Sequence, residues 1–273
     1  MKHLKLFNQA SEYEAYMEGE DVVLPNVSYI VEFKDLPAND PKKSVLFASK
    51  QVEPTSSYIA VDLGLPSGTL WADRNIGASS PDDAGLYFQW GDTVGYAAEQ
   101  VANGEKVFAS DWSDYFDTTD GGSTFNKYNK SGLRVLEASD DAATVNMGSE
   151  YRMPTKTEMQ ELINNTTATF VDLQGNEYSQ TEALSGAITA NNFKGVKMTG
   201  SNGNSIFIPA SCSYYDSLFH LPYYNSFLLS ANLYSYNIKQ MYHAGFTSSG
   251  GTQIYSDYRY IGLPVRGVCK NNL

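Results

Sequence analysis

Apolar residues in this chain cluster in short runs separated by turn residues, and only two stretches carry a helical signature. In the stronger one, Met159, Leu162 and Ile163 stand at i, i+3, i+4 spacing behind Thr155 as N-cap and Glu158 as its capping-box partner. This predicts a helix that ends at Asn164-Asn165. Near the N-terminus Ser11 and Glu14 repeat the capping-box pattern, predicting a short helix over Ser11–Glu18 that Gly19 stops. Asp21–Phe33 is rich in β-branched residues and predicts one or two strands broken at Pro25. Residues 34–57, with Pro37, Pro41 and Pro54, read as a linker with one short strand around Val45–Phe47, which puts a domain boundary near residue 55. Beyond it Tyr58–Asp62 predicts a strand, followed by turn punctuation at Gly64, Pro66 and Gly68 before Leu70-Trp71. Further strands are expected at Val196–Thr199, Ser205–Ile208, Phe227–Leu233 and Ile261–Val268. The pattern predicts an α+β domain with a largely antiparallel sheet over residues 56–273, preceded by a small β-rich region over 1–55.

Charge narrows the function classes. The 273 residues carry a formal charge of -12, which argues against a nucleic-acid partner, because such partners are held chiefly by Lys and Arg on phosphates. The first twenty residues have a polar or charged group every few positions, so no apolar leader segment is expected, and no run is long enough for membrane insertion. Cys212 and Cys269 could pair only if their Cα atoms came within about 7 Å, and two free thiols are the expectation. His3, His220 and His243 stand in no zinc-binding spacing, and neither a nucleophile-elbow motif nor a phosphate-binding glycine loop is present. Asp82-Asp83 and Asp140-Asp141 could offer oxygen ligands to calcium, but such pairs more often serve turns and helix caps. No catalytic residue, metal or cofactor is therefore expected.

Composition changes sharply near the C-terminus. Between Ser213 and Tyr260, 48 residues hold 10 of the 20 tyrosines, and the charges there are Asp216, Lys239, Asp257 and Arg259. Tyr supplies large amphipathic contact area at low entropic cost, and neighbouring Ser, Asn and Gly add adaptable hydrogen bonds, which is the composition of antibody paratopes. Alternation in and out of strands would also account for many of these tyrosines. Adjacent pairs weaken that account, since one member of each pair must face away from the core. The expected contact residues are Tyr214, Tyr215, Tyr223, Tyr224, Asn225, Tyr234, Tyr236, Tyr242, His243, Tyr255, Tyr258 and Tyr260.

Six ordered blocks carry a family resemblance, Val61-Asp-Leu-Gly-Leu-Pro-Ser-Gly-Thr-Leu-Trp-Ala72, Asn75-Ile-Gly-Ala78, Gly85-Leu-Tyr-Phe-Gln-Trp-Gly91, Asp141-Ala-Ala-Thr-Val145, Tyr151-Arg-Met-Pro-Thr155 and Gly203-Asn-Ser-Ile-Phe-Ile-Pro209, and the match ends in Gly262-Leu-Pro-Val-Arg266. Over residues 58–268 the chain resembles the Fibrobacter major paralogous domain family, which implies a C-type-lectin-like fold. Leu228-Leu-Ser-Ala231 departs from the Tyr-Trp-Ser-Ser strand of that family and puts packing there in question. Formylglycine-generating enzymes share the fold and depend on a cysteine pair. Cys212 and Cys269 lie in framework blocks rather than a cleft motif, so no enzyme activity is expected.

The opening around Leu24-Pro-Asn-Val-Ser-Tyr29 resembles tail and head-fibre proteins of phages that infect gut bacteria. Together the resemblances imply a virion receptor-binding or fibre-tip protein, assembled in the host cytoplasm. Residues 1–55 would attach to other virion proteins or drive homo-oligomerisation, with a trimer as the first expectation. The Tyr-rich segment at 213–260 would recognise a host surface glycan or protein. Its vocabulary also fits adenine-directed diversification by a retroelement. Two rival readings share the fold: a capsid or tail decoration protein, and a bacterial surface glycan-binding adhesin.

Overall fold

A computed structural model describes residues 58–108, 127–128, 132–215 and 218–270, with the backbone alone for 4–7, 29–32, 46–49 and 218–224. The chain divides into two compact units, Met1–Ser57 and Tyr58–Leu273. In the first, β1 (Leu4–Phe7), β2 (Tyr29–Glu32) and β3 (Leu46–Ser49) form an antiparallel sheet in that order. β2 takes the β-branched end of the run that follows Pro25. The helix expected over Ser11–Glu18 lies outside the described residues.

The second unit is α+β with antiparallel sheets. It opens with β4 (Ala60–Val61), β5 (Thr69–Ala72), β6 (Tyr87–Phe88) and α1 (Ala98–Ala102). Then come α2 (Ala142–Met147), α3 (Lys156–Asn165), β7 (Thr166–Asp172), β8 (Glu177–Ser179) and α4 (Gln180–Leu184). The remainder is nearly all strand: β9 (Phe193–Gly200), β10 (Ser205–Pro209), β11 (Ser211–Tyr215), β12 (Leu218–Leu233), β13 (Gln240–Thr247), β14 (Thr252–Tyr258), β15 (Leu263–Pro264) and β16 (Val268–Lys270). Two four-stranded sheets, β10-β9-β7-β8 and β11-β12-β13-β14, carry most of it, while β16-β5-β4 and β15-β6 tie the end of the unit to its beginning.

α3 forms where the capping box predicts it. Thr155 Oγ1 accepts from the Glu158 amide at 3.3 Å, and Glu158 Oε2 accepts from the Thr155 amide at 2.9 Å. Both Met159 and Leu162 bury their side chains in the core. The helix start is pinned to β12, because Asn232 Oδ1 accepts from the Lys156 amide at 2.8 Å and the Pro154 carbonyl accepts from the Ala231 amide at 2.9 Å.

The Phe227–Leu233 end of β12 is covered on both faces, which is why it is mostly apolar: Leu228 packs into one core cluster, while Phe227, Leu229, Ala231 and Leu233 pack into the other. Leu228-Leu-Ser-Ala231 is accordingly buried throughout. Leu228 and Leu229 are fully buried, and Trp90, arriving from a distant loop, donates its indole N–H to the Ser230 carbonyl at 3.0 Å.

Ile261–Val268 is not the single strand expected. Pro264 has no amide to donate, and Gly267 leaves no room for a side chain, since a Cβ there would stand 2.5 Å from Met147 Sδ. The segment splits into β15 and β16. Between them the Val265 and Gly267 carbonyls accept from the Ile76 and Ala72 amides, both at 2.9 Å, and Arg266 Nε donates to Asn75 Oδ1 at 2.8 Å.

Candidate recognition surface

The Tyr-rich segment builds the β11-β12-β13-β14 sheet. His243 lies opposite Tyr255 on β14 and opposite Leu229 on β12, and Tyr242 lies opposite Ser256. Because successive residues face opposite sides, Tyr242 and His243 cannot share a face. Among the described residues, the expected ones therefore do not all share one face; they divide among separate clusters.

Tyr214 is a correction. Its ring is fully buried, edge-on to Tyr87 at 4.7 Å and stacked on Phe108 at 5.9 Å, and its backbone exchanges hydrogen bonds with Gly262 at 2.9 and 3.1 Å. It is a core residue, because β11 is pinned there to the segment that leads into β15. Beside it Cys212 Sγ and amide donate to the Tyr87 hydroxyl at 3.3 and 3.4 Å, and burial with the neighbouring thiol pushes the Tyr87 hydroxyl well above its usual range. Cys212 and Cys269 are not joined in a disulfide; Cys212 is buried and Cys269 half-buried.

One cluster gathers Tyr234, Tyr236 and Tyr242, with Lys156 against the Tyr242 ring. Tyr234 meets Tyr236 and Tyr242 edge-on at 5.5 and 5.2 Å, and the Lys156 ammonium lies 4.5 Å from the centre of the Tyr242 ring. Tyr236 is 86% exposed and Tyr234 half-buried, whereas Tyr242 is buried and acts as support. Its hydroxyl exchanges a 3.0 Å hydrogen bond with Ser235 Oγ. Burial pushes that hydroxyl up, but the Ser235 hydroxyl and amide with the Lys156 charge outweigh it and hold the pKa below the usual range.

A second cluster is a ladder of Tyr215, Tyr260 and Tyr258. Tyr258 stacks on Tyr260 at 5.1 Å, and Tyr215 packs against Tyr260 at 5.4 Å. Arg259 between them points inward, its guanidinium 4.9 Å from the Trp90 ring and donating to the Tyr128 carbonyl, so Tyr258, 42% exposed, is turned outward on a fixed backbone.

On the face opposite Tyr242 lies a half-open cavity of about 250 Å³ lined by Ser213, Asn225, Phe227, His243, Tyr255, Asp257 and Leu263. His243 stacks on Tyr255 at 5.6 Å and meets Phe227 edge-on at 5.6 Å. Burial drives the imidazole down from its usual 6.5 to about 4, opposed only in part by the approach of the Ala244 backbone, so the ring is neutral over the ordinary pH range. Tyr255 lies across Gly245, where a Cβ would stand 2.7 Å from its ring.

The backbone of Tyr223 and Tyr224 lies in β12, and their side chains lie outside the described residues. Lys156, Ser213 and Phe227 escaped sequence reasoning, because nothing in their local pattern shows that they meet these tyrosines. Composition could have flagged Asp257 as one of the few charges in the segment.

The paired aspartates serve structure. Asp141 caps α2, accepting from the Ala143 and Thr144 amides at 2.9 Å, while Asp83 accepts from the Ser79 and Gly85 amides at 2.9 and 3.0 Å. Among the described residues no group of three or more His, Cys, Asp or Glu side chains could hold a metal ion, and no helix is long and apolar enough to cross a membrane. No protein-family model matches the chain, and comparison with curated proteins and with solved structures gives no match.

Proposed function

We propose that this chain is a virion receptor-binding or fibre-tip protein of a phage, with a C-type-lectin-like domain over residues 56–273 that presents aromatic clusters to a ligand on the host surface. The observation that carries the reading is the outward aromatic surface at Tyr236 and Tyr258, each packed against a neighbouring tyrosine ring. Rigid aromatic anchors lose little entropy on binding and dominate interface energetics. The framework supports the same reading. β15 and β16 return to β6 and β5, so the segment from β11 to β14 is held at both ends while its residues vary in exposure. Residues 1–55 serve attachment and trimerisation, which would multiply weak contacts by avidity.

The test is cell binding. Fluorescently labelled full-length protein is applied to a panel of gut bacterial isolates and read by flow cytometry, alongside the Tyr236→Ala/Tyr258→Ala double variant. Saturable labelling of particular isolates, reduced about tenfold or more in the double variant, is expected, since two anchors at roughly 1 kcal/mol or more each suffice for that. Labelling of no isolate, or equal labelling by the variant, refutes the reading and favours an assembly role within the particle.

A further inference from the structure

We propose that the cavity beneath β11, β13 and β14 is a subsite for an uncharged, hydroxyl-bearing ring of monosaccharide size, held by Ser213 Oγ and His243 Nδ1 and walled by Tyr255. This assigns ligand chemistry to one part of the recognition surface and rests on the reading above.

Two orphan polar atoms motivate it. Ser213 is 2% exposed and His243 5% exposed, and neither Ser213 Oγ nor His243 Nδ1 has a hydrogen-bond partner in the protein, although both residues line the same cavity. Leaving such a group unmet costs about 1–3 kcal/mol, and folded proteins leave few of them. Local backbone geometry places Ser213 there. The β11–β12 ladder slips on both sides of it, between Ser211 and Ser213 and between Ser213 and Tyr214, and bulges of this kind re-aim side chains.

The chemistry of the lining selects the occupant. A hydroxyl both donates and accepts, so it can satisfy a serine hydroxyl and either tautomer of a neutral imidazole at once. A carboxylate only accepts and would face Asp257 on the same wall; an ammonium only donates. Phe227, Leu263 and the Tyr255 ring supply apolar surface for the C–H face of a ring. About 250 Å³ falls just below the roughly 300–1,000 Å³ of pockets for drug-sized ligands, which leaves room for one ring. Half-buried Asn225, Tyr255 and Asp257 form the rim, so the ring can belong to a longer chain that continues outward.

Saturation-transfer NMR on the full-length chain tests this with the methyl α-glycosides of glucose, galactose, mannose, N-acetylglucosamine and fucose, with acetate and methylammonium as charged controls. At least one glycoside should receive saturation, and Ser213→Ala should weaken it about tenfold, the loss of one well-placed hydrogen bond. Ser213→Ala should not lower the thermal midpoint of the free protein, since the atom it removes has no partner to lose. His243→Phe keeps the aromatic wall, deletes Nδ1 and should weaken binding similarly. No saturation of any glycoside, undiminished binding in both variants, or tighter binding of acetate or methylammonium overturns the proposal. Glycoside binding without cell labelling would sink the proposed function and keep the subsite; cell labelling without glycoside binding would do the reverse.

Discussion

Glu158 offers the sharpest test of how the second unit is held together. Its carboxylate accepts the Thr155 amide at 2.9 Å and hydroxyl at 2.8 Å, Arg152 Nη1 at 2.7 Å, a second and shorter bond from Arg152 Nη2, and Thr69 Oγ1 at 3.3 Å. One side chain thus caps α3, fastens the Arg152 segment and reaches β5. Glu158→Ala removes a reciprocal cap, at about 1 kcal/mol, and a bidentate ion pair whose arginine is 39% exposed and so contributes only about 1 kcal/mol. A loss of about 2 kcal/mol in a unit of this size lowers the thermal midpoint by roughly 4–8 °C.

The effect should depend on pH in a stated direction. Burial pushes the Glu158 carboxyl up, but the Arg152 bonds and the Thr155 amide and hydroxyl outweigh it and bring it down from 4.5 to about 2. A carboxyl depressed in the folded state contributes its full stability above the unfolded value and loses it as pH falls toward the folded one. The gap between wild type and Glu158→Ala should therefore be complete above about pH 5 and should narrow steadily toward about pH 2. Scanning fluorimetry on both proteins across that range measures it. A midpoint change under about 1 °C near neutrality, or a gap that stays constant to the acid end, would show that the carboxylate network does not hold this corner.

Other outcomes follow from burial and close approach. Tyr214→Ala should cost about 3–5 kcal/mol, while Tyr236→Ala should stay within about 0.5 kcal/mol, as urea midpoints would read; equal losses would contradict the division between core and surface tyrosines. A Cβ on Gly200 would sit 1.9 Å from the Leu63 carbonyl oxygen, whereas one on Gly68 meets nothing within 4 Å. Gly200→Ala should prevent recovery of folded protein, and Gly68→Ala should cost only the roughly 1–2 kcal/mol of a left-handed residue. Burial holds the His243 imidazole at about 4, so below 6.5 the unfolded chain takes up a proton that the folded ring refuses. Stability should fall across that window by up to about 3 kcal/mol, and His243→Phe should remove this component. Identical acid profiles for the two proteins would count against a neutral, buried ring.

The sequence alone determined what depends on near neighbours. The capping box at Thr155 and Glu158 specifies α3, because both partners lie within one turn. The β-branched and Gly/Pro pattern specifies short strands and hence an α+β unit, and composition marks 213–260 as chemically distinct. Only the tertiary structure decided how that distinct segment is used. Alternation implies that Tyr242 and His243 face opposite ways, yet what covers each face comes from Lys156, Phe227 and Leu263, which the pattern around those residues does not mention. Tyr214 is lost to the core because Tyr87 and Phe108 fold onto it. The orphan atoms of Ser213 and His243 become a pair only when two strands that are distant in sequence close around one cavity. Burial and pairing across the sheet are collective properties of the packed chain, and no local window of sequence contains them.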